Sequence, residues 1–337
     1  MRALGLGALA IGAVMASRFV HRASRYSFRG RSVLITGASR GLGLELARQL
    51  AAEGARLWLV ARSAAPLAAA AEELRAMGAV VDTIAADIRH PEDVERIIDA
   101  CLPGDGVDVL INNAGMIEVS PFEHATTKDF EDSLATHFWG PLRLIRGCLP
   151  HMRRQGAGRI VNISSIGGRI AVPHLAAYAA GKFALTGLSE TLHAELAKSG
   201  IAVTTVTPGL MRTGSYVNVR LRGEHQDELR WFTALSATPL TSMQTRRAAA
   251  QIVQACRDGR AAITPGWQAR AAHLAAAVAP NSFARLNAAA DRMLLPRPGT
   301  GPGADRARLA AEVDPGAVKT VLSEETRRRH HQPQPAW

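Results

Sequence analysis

Short apolar runs rich in β-branched residues alternate with longer segments of helical periodicity through most of the chain. Runs of this kind predict buried strands. They lie at residues 32–35, 56–60, 80–84, 107–111, 159–163, 201–206 and 263–266. Buried strands that alternate with helices predict a parallel sheet covered on both faces and joined by right-handed crossovers. We therefore expect an α/β fold, a doubly wound parallel sheet in a single domain.

The first of these runs leads into a glycine-rich turn and then into a helical pattern over residues 44–52. The turn contains Gly37, Gly41 and Gly43. Glycines let the backbone turn tightly and approach a pyrophosphate at a helix N-terminus, where unpaired N–H groups and the helix dipole favour an anion. The turn therefore predicts dinucleotide binding, although its spacing differs from the common fingerprint.

A tyrosine and a lysine stand at helical spacing further along the chain. Tyr178 and Lys182 are four positions apart, and Ser165 precedes the tyrosine by thirteen positions. Positions i and i+4 share a helix face, so the Lys182 ammonium is expected to lower the Tyr178 pKa from its usual value of about 10. A phenol with a lowered pKa serves as a general acid or base. We expect Ser165 to hydrogen-bond the substrate oxygen.

The charges after the second strand bear on cofactor choice. An NAD site places a carboxylate there to bond the ribose 2′-hydroxyl. Here the strand over residues 56–60 is followed by Ala61, Arg62 and Ser63. Arg62 and Arg40 carry forked donors that match a 2′-phosphate. The sequence therefore favours NADP, the alternative being that both arginines are simply solvated.

Taken in chain order, these features resemble the classical short-chain dehydrogenase/reductases over about residues 30–267. The resemblance implies a Rossmann-type fold. It implies Tyr178 as the general acid/base, Ser165 as the residue that orients the carbonyl, and Lys182 as the residue that lowers the tyrosine pKa and binds the nicotinamide ribose. The cofactor-binding residues that it implies are Gly37, Ser39, Arg40, Gly41, Leu42, Gly43, Arg62, Asp87, Ile88, Asn113, Ala114, Gly115, Tyr178, Lys182, Pro208, Gly209 and Thr213.

At His137 and Thr213 the sequence leaves two interpretations open. The family usually has an asparagine where this chain has His137, and there it supports a water linked to the catalytic lysine. The imidazole either relays protons in the catalytic site or only packs against the turn at Gly140. Thr213 resembles the family threonine that contacts the nicotinamide carboxamide, and the alternative is a helix cap.

The net charge of +11 is dominated by arginine. Because the basic residues are scattered and no nucleic-acid motif occurs, no nucleic-acid partner is expected. Cys101, Cys148 and Cys256 are far apart and have no His or Cys neighbours at metal-binding spacing. We therefore predict no metal site and no disulfide framework, as is typical of a reducing compartment.

An uncharged N-terminal segment, residues 3–17, is followed by five arginines, and no acidic residue precedes Glu45. As a helix the segment would span about 22 Å against about 30 Å of hydrocarbon, so it is marginal as a membrane span. Positive charge after it predicts a catalytic domain on the cytoplasmic side of a membrane. We prefer a membrane anchor; a cleaved secretory signal and a soluble or peripheral helix are the alternatives.

Residues 210–245 have an apolar bias, and their charged positions, Arg222 and Glu228 among them, are expected to form the exposed face of a helical flap over an apolar pocket. An alanine-rich helical segment with a break at Pro280 follows, and it lies on a membrane surface or packs on the domain. The expected organisation is a hydrophobic segment over residues 1–26, the catalytic domain over 27–268, a helical extension over 269–296 and a disordered tail over 297–337.

These features predict an NADP-dependent oxidoreductase of lipid metabolism that interconverts a carbonyl and an alcohol on a lipophilic molecule, steroid-, lipid- or acyl-like. A 3-oxoacyl thioester reductase is an alternative within the same fold. From another class, an NADPH-sensing regulator without turnover is an alternative that His137 favours. The resemblance also implies a homo-oligomer.

Overall fold

Strands and helices alternate in this computed structural model, which describes residues 26–104, 106–237, 241–299, 303–313 and 328–332. The strands are β1 (Ser32–Thr36), β2 (Arg56–Ala61), β3 (Val81–Ala85), β4 (Val109–Asn112), β5 (Glu118–Val119), β6 (Gly158–Ile163), β7 (Ile201–Val206), β8 (Leu210–Arg212), β9 (Arg220–Leu221), β10 (Ser242–Gln244), β11 (Ala262–Ile263) and β12 (Arg308–Leu309). The α-helices are α1 (Gly41–Ala52), α2 (Ala64–Ala76), α3 (Pro91–Cys101), α4 (Thr127–Leu134), α5 (Gly140–Arg154), α6 (Ala176–Leu196), α7 (His225–Ala237), α8 (Thr245–Arg257), α9 (Trp267–Val278) and α10 (Pro280–Leu294).

A parallel sheet in the order β11-β7-β6-β4-β1-β2-β3 forms the centre of the fold. Successive strands progress from β1 towards β3 on one side and from β4 towards β11 on the other. The strand order therefore reverses between β1 and β4, which is where ligands bind in open α/β sheets. The predicted α/β fold, a Rossmann-type doubly wound sheet in a single domain, is confirmed.

Alternate residues of the central strands pack on opposite faces of the sheet, as the pleat requires. Val33 and Ile35 of β1 lie in a buried cluster with α1, α2 and α8. Leu34, between them, lies in the second cluster, with Ile97 of α3 and Ile145 of α5. Because both faces of the sheet are covered, the strands carry continuous apolar runs. This is why the strands could be predicted from the sequence.

Element boundaries differ from the sequence expectation by a few residues. The run at residues 107–111 becomes a strand only at Val109–Asn112, where the register with β1 begins at Val109. The run at residues 263–266 is shortened to Ala262–Ile263. Gly266, with φ of 94°, is the N-cap of α9. The break expected at Pro280 is present, since α10 begins at that residue.

The flap over residues 210–245 contains α7, and its charged positions follow the prediction only in part, since Glu224 and Asp227 are exposed as expected. The expectation that Arg222 and Glu228 are exposed is wrong. The Glu228 side chain is fully buried, and the Arg222 guanidinium pairs with the buried Asp129 of α4 at 3.0 Å. Both charges are compensated by partners distant in sequence, which a helical periodicity does not reveal.

The described parts of the segment after residue 297 lie against the domain. Arg308 and Leu309 form β12, which pairs antiparallel with β9, and His330 and Gln332 are buried. These two parts therefore do not show the disorder expected of the tail. The predicted N-terminal anchor lies outside the described residues. Among the residues that are described, no helix has both the length and the apolar content needed to cross a bilayer.

Candidate active site

One large cavity, with a volume of about 750 Å³, opens at the C-terminal ends of the parallel strands. The loops that follow β1, β4, β6 and β7 supply its floor, and the flap supplies its roof. The predicted site residues that line it are Gly37, Ser39, Arg40, Gly41, Leu42, Arg62, Asp87, Ile88, Asn113, Ala114, Gly115, His137, Ser165, Tyr178, Lys182, Pro208, Gly209 and Thr213. Gly43 lies behind this lining.

The glycine turn between β1 and α1 is packed so closely that side chains are excluded. A Cβ atom on Gly43 would lie 2.3 Å from the carbonyl oxygen of Gly37. Gly37 itself has φ of 65° and faces the backbone of Ala114. Asn113 fixes this arrangement, because its Nδ2 atom donates to the carbonyls of Thr36 and Gly37 at 2.9 and 3.2 Å. The turn is thus a rigid backbone cradle at a helix N-terminus, which fits a pyrophosphate.

Two arginines flank the cradle. Burial, and then the nearby charge of Arg62, lower the pKa of Arg40. Nη1 of Arg40 donates to Asn218 Oδ1 at 3.1 Å. Within the described ranges, no acidic side chain hydrogen-bonds to Arg40 or Arg62. Two neighbouring guanidinium groups that repel each other provide a site for a doubly charged anion such as a 2′-phosphate.

A segment near the C-terminus also reaches the cradle. The backbone N–H of Gly41 donates to the carbonyl oxygen of His330 at 3.0 Å. The next residue but one, Gln332, lines the cavity and accepts a hydrogen bond from Asn218 Nδ2 at 2.7 Å. The sequence analysis missed these contacts, since nothing in a basic, proline-containing segment indicates where it docks.

Ser165 lies two residues after the end of β6, and it lines the cavity. Its hydroxyl accepts the N–H of Gly167 at 3.0 Å, which fixes its direction. A Cβ atom on Gly167 would lie 3.2 Å from the Tyr178 ring, so this glycine allows the serine turn to sit directly against the phenol. The two predicted groups therefore meet, although they belong to a strand end and to α6.

The pKa of Tyr178 is raised, not lowered as the sequence analysis expected. Burial raises it to about 12, and the interaction with the Ser165 hydroxyl opposes this rise. Lys182 Nζ lies 5.8 Å from the Tyr178 ring centroid and donates to the carbonyl oxygen of Ile163 at 2.8 Å. Burial lowers the pKa of Lys182 to about 7. Because the lysine is itself deprived of solvent, its charge does not offset the burial of the phenol.

His137 lies in a π-helical turn, Ala135–Trp139, between α4 and α5. Its ring is buried and meets the Tyr178 ring edge-on, with centroids 5.4 Å apart. Burial, and then the charge of Lys182, lower the pKa of His137 well below its usual range. The imidazole is therefore neutral. Gly140 closes the turn because a Cβ there would lie 2.8 Å from the carbonyl oxygen of Ile88.

Thr213 lies in the loop after β8, where its side chain is buried. Its hydroxyl donates to Ser215 Oγ at 2.6 Å and accepts the Ser215 N–H at 3.1 Å. These bonds hold the start of the turn Ser215–Asn218, whose N-cap is Gly214, and the residue also lines the cavity. Pro208 supports the serine loop, because its carbonyl accepts the N–H of Ile166 at 2.8 Å.

The far end of the cavity is apolar. Its walls come from the loop before α6 and from the flap helix α7, and they are Val172, Leu175, Trp231, Phe232 and Leu235. The sequence analysis anticipated the flap residues from their apolar bias but missed Val172 and Leu175. In the described part of the chain, no group of three or more His, Cys, Asp or Glu side chains could hold a metal ion.

Comparisons with known proteins agree with this geometry. The short chain dehydrogenase family model matches residues 31–222. A protein of Streptomyces coelicolor provisionally named ketoacyl reductase is 37% identical over 199 residues, which cover 58% of this chain and 75% of that protein. The provisionally named oxidoreductase SadH of Mycobacterium tuberculosis is 34% identical over 267 residues, covering 78% and 96%.

Among solved structures, L-sorbose reductase from Gluconobacter frateurii, complexed with NADPH and L-sorbose, superposes with a TM-score of 0.65. It is 27% identical, and the match covers 73% of this chain and 99% of that one. The overall fold is therefore shared with a solved reductase.

Proposed function

The chain belongs to the short-chain dehydrogenase/reductase family, and from this premise we propose that it interconverts a carbonyl and an alcohol on a lipophilic small molecule with NADP(H). Family membership makes it an oxidoreductase. The observation that carries the finer proposal is the meeting of Ser165, Tyr178 and Lys182 beneath a cavity that also contains the glycine cradle. An acid/base group and a dinucleotide cradle in one cavity are what carbonyl reduction requires.

NADP fits the residues of the cradle. The N-terminus of α1 and the turn around Gly37 would hold the pyrophosphate, and Arg40 and Arg62 would hold the 2′-phosphate. Asp87, Ile88 and the backbone after Asn113 also line this cavity. When bound, NADPH supplies a hydride. The NADPH complex of the sorbose reductase supports the choice of cofactor.

In the direction of reduction, the Tyr178 hydroxyl donates its proton to the carbonyl oxygen as that oxygen becomes an alkoxide. A phenol with a pKa raised to about 12 remains a stronger acid than an aliphatic alcohol, so this transfer is favourable. The Ser165 hydroxyl, oriented by Gly167, donates a hydrogen bond to the same oxygen and stabilises its developing charge. Lys182, held at the carbonyl of Ile163, places its amine 5.8 Å from the centre of the phenol ring.

The substrate class follows from the lining of the cavity beyond Tyr178. Leu175, Trp231 and Phe232 supply apolar surface there. A steroid-, lipid- or acyl-like carbonyl compound suits such a wall. The likeness to the Streptomyces coelicolor protein favours one alternative, reduction of a 3-oxoacyl thioester.

We further propose that the protein works at the cytoplasmic face of a membrane. The uncharged segment over residues 3–17 and the arginines after it support this proposal. So do the exposed apolar side chains of Leu274, Val278 and Met293 on α9 and α10, which lie 65%, 75% and 81% exposed. Recovery of all the protein in the soluble fraction, after lysis without detergent, would contradict this part of the proposal.

The test is NADPH consumption by detergent-solubilised protein against a panel of lipophilic ketones, aldehydes and 3-oxoacyl thioesters. Tyr178→Phe should reduce turnover by about 10²- to 10⁴-fold, since it removes the proton donor alone, and should leave NADPH binding intact. Tyr26→Phe is the matched control, because Tyr26 does not line the cavity. Undiminished turnover of Tyr178→Phe would overturn the proposed chemistry. NADPH binding without turnover across the panel would favour the sensing regulator.

A further inference from the structure

A fully buried carboxyl group lies in the flap helix, outside the catalytic group just described. Neither oxygen of Glu228 is exposed, and its side chain accepts hydrogen bonds from two sources. His174 Nδ1 lies 2.8 and 3.0 Å from the two oxygens, and the Trp231 Nε1–H donates to Oε2 at 2.7 Å. Burying a carboxylate costs several kcal/mol unless such partners are present. A flap that needed only to cover an apolar pocket would not contain this group.

Each partner of Glu228 connects it to the reaction cavity. Trp231 lines the apolar end of that cavity. His174 lies immediately before Leu175, another lining residue, and before the helix α6 that carries Tyr178. The bond to Glu228 therefore ties the flap to the start of the catalytic helix.

The backbone around His174 is held in an unusual conformation. Its φ is 60°, in the left-handed region that few residues other than glycine adopt. The carbonyl oxygen of His174 accepts the N–H of Ser120 at 2.8 Å, and Nε2 lies 3.5 Å from Oδ1 of Asp291 on α10. The bond from Ser120, the contact with Asp291 and the bond to Glu228 together fix the position of this imidazole.

The indole of Trp231 is fixed by the same contacts. Its Nε1–H is committed to Glu228, and its ring meets the His174 ring edge-on with centroids 6.3 Å apart. An indole whose N–H is anchored on one side presents a rigid apolar face on the other. That face forms a wall of the cavity.

We propose that Glu228 is a positioning residue, which fixes Trp231 as the wall of the apolar end of the cavity and thereby determines the size of carbonyl compound that is accepted. The inference rests on the proposed function for its substrates. Its physical basis is independent of the chemistry, because it concerns only the orientation of one indole and the closure of one helix. Glu228 touches neither the reacting atoms nor the cradle.

The test compares Glu228→Gln with Asp227→Asn, a matched control on an exposed neighbour in the same helix that pairs with Arg230. Glutamine preserves volume, but it removes the negative charge and replaces one acceptor oxygen with an N–H₂ donor, which weakens the bond that anchors the indole N–H. We expect the ratio of kcat/KM for linear over branched ketones to fall about tenfold, the size of a lost pocket contact. The control should retain the wild-type ratio.

A second readout needs no turnover. Acrylamide quenching of Trp231, obtained by subtracting Trp231→Phe from its parent, should increase in Glu228→Gln and remain unchanged in Asp227→Asn. If Glu228→Gln does not fold, Trp231→Phe removes the indole N–H together with one of the two indole rings, so the wall recedes and the ratio for linear over branched ketones should fall in the same direction. Unchanged quenching in Glu228→Gln would overturn the proposal. So would an unchanged ratio of kcat/KM for linear over branched ketones in both Glu228→Gln and Trp231→Phe. Increased quenching in a protein that reduces no carbonyl would overturn the proposed function and leave the positioning role standing.

Discussion

The Nε2 atom of His137 accepts a hydrogen bond from the backbone N–H of Met116 at 3.2 Å. Because Nε2 is the acceptor of a neutral ring, the proton lies on Nδ1, which is 3.1 Å from the Ser133 hydroxyl. That hydroxyl in turn donates to the carbonyl oxygen of Ala177 at 2.7 Å. The chain of bonds thus runs from the loop after β4 to the start of α6, and it ends at the residue before Tyr178.

His137→Ala should reduce kcat about tenfold, because it releases Met116 and the edge-on support of Tyr178. Burial and the charge of Lys182 hold the pKa of His137 well below its usual range. The apparent pKa in the pH dependence of kcat between pH 6 and 9 should therefore not move. The check is a pH profile of both proteins with one ketone. His137→Asn, which restores the asparagine usual in the family, is the companion variant. A displaced midpoint in His137→Ala would instead support the proton relay.

Arg62→Asp should weaken NADPH binding and shift preference towards NADH. Arg62 and Arg40 would share the 2′-phosphate, and loss of one charged hydrogen bond costs about 2 kcal/mol, or about 30-fold in Kd. The aspartate would also offer an acceptor to a ribose 2′-hydroxyl. Fluorescence titration with both cofactors measures the change. Arg96→Ala, at an exposed arginine paired with Asp93, is the control, and equal effects in the two variants would refute the assignment.

Glu118→Gln should stabilise the protein at alkaline pH. Burial, and then the charge of Asp129, raise the pKa of Glu118 from 4.5 to about 7. A raised pKa contributes stability that is complete below pH 4.5 and is lost as the pH rises through 7. The neutral amide avoids this loss, so the variant should gain about 2 kcal/mol over the wild type at pH 8 and little at pH 4.5.

Thermal unfolding at the two pH values checks the Glu118 prediction. The control is Glu123→Gln, at an exposed carboxylate nearby in sequence, which should change the melting temperature little at either pH. A gain for Glu118→Gln that is equal at both pH values would mean that packing, not titration, is responsible.

Deletion of residues 328–337 should tighten NADPH binding. The His330 carbonyl uses the Gly41 N–H, which is one of the amides at the N-terminus of α1 that a pyrophosphate would need. Removing one competing hydrogen bond is expected to lower Kd about 5- to 10-fold. A shorter deletion, of residues 333–337, retains the contact and serves as the control. If the longer deletion weakens binding, the segment helps to hold the cofactor.

The fold and the family could be predicted from the sequence for a physical reason. Strands covered on both faces must be apolar throughout, so β1, β6 and β7 were visible as runs. Gly43 is required by a backbone contact with Gly37 only six residues away, and Tyr178 and Lys182 share a helix face. Each of these signals is local, and local spacing is what a sequence displays directly.

The tertiary structure decided what depends on contacts between distant segments. Burial from several elements raises the Tyr178 pKa and lowers that of Lys182, so their spacing predicted their proximity but not their protonation. Glu228 was taken as exposed from its helical position, yet His174 of another element buries it.

The sequence by itself thus determined the order of elements and the glycine turn, and it brought forward Tyr178 and Lys182 as the proposed acid/base pair. Which charges are buried, and how the apolar wall at Trp231 is held, follow only from long-range packing. Desolvation depends on every neighbour in space, and a single sequence does not specify those neighbours.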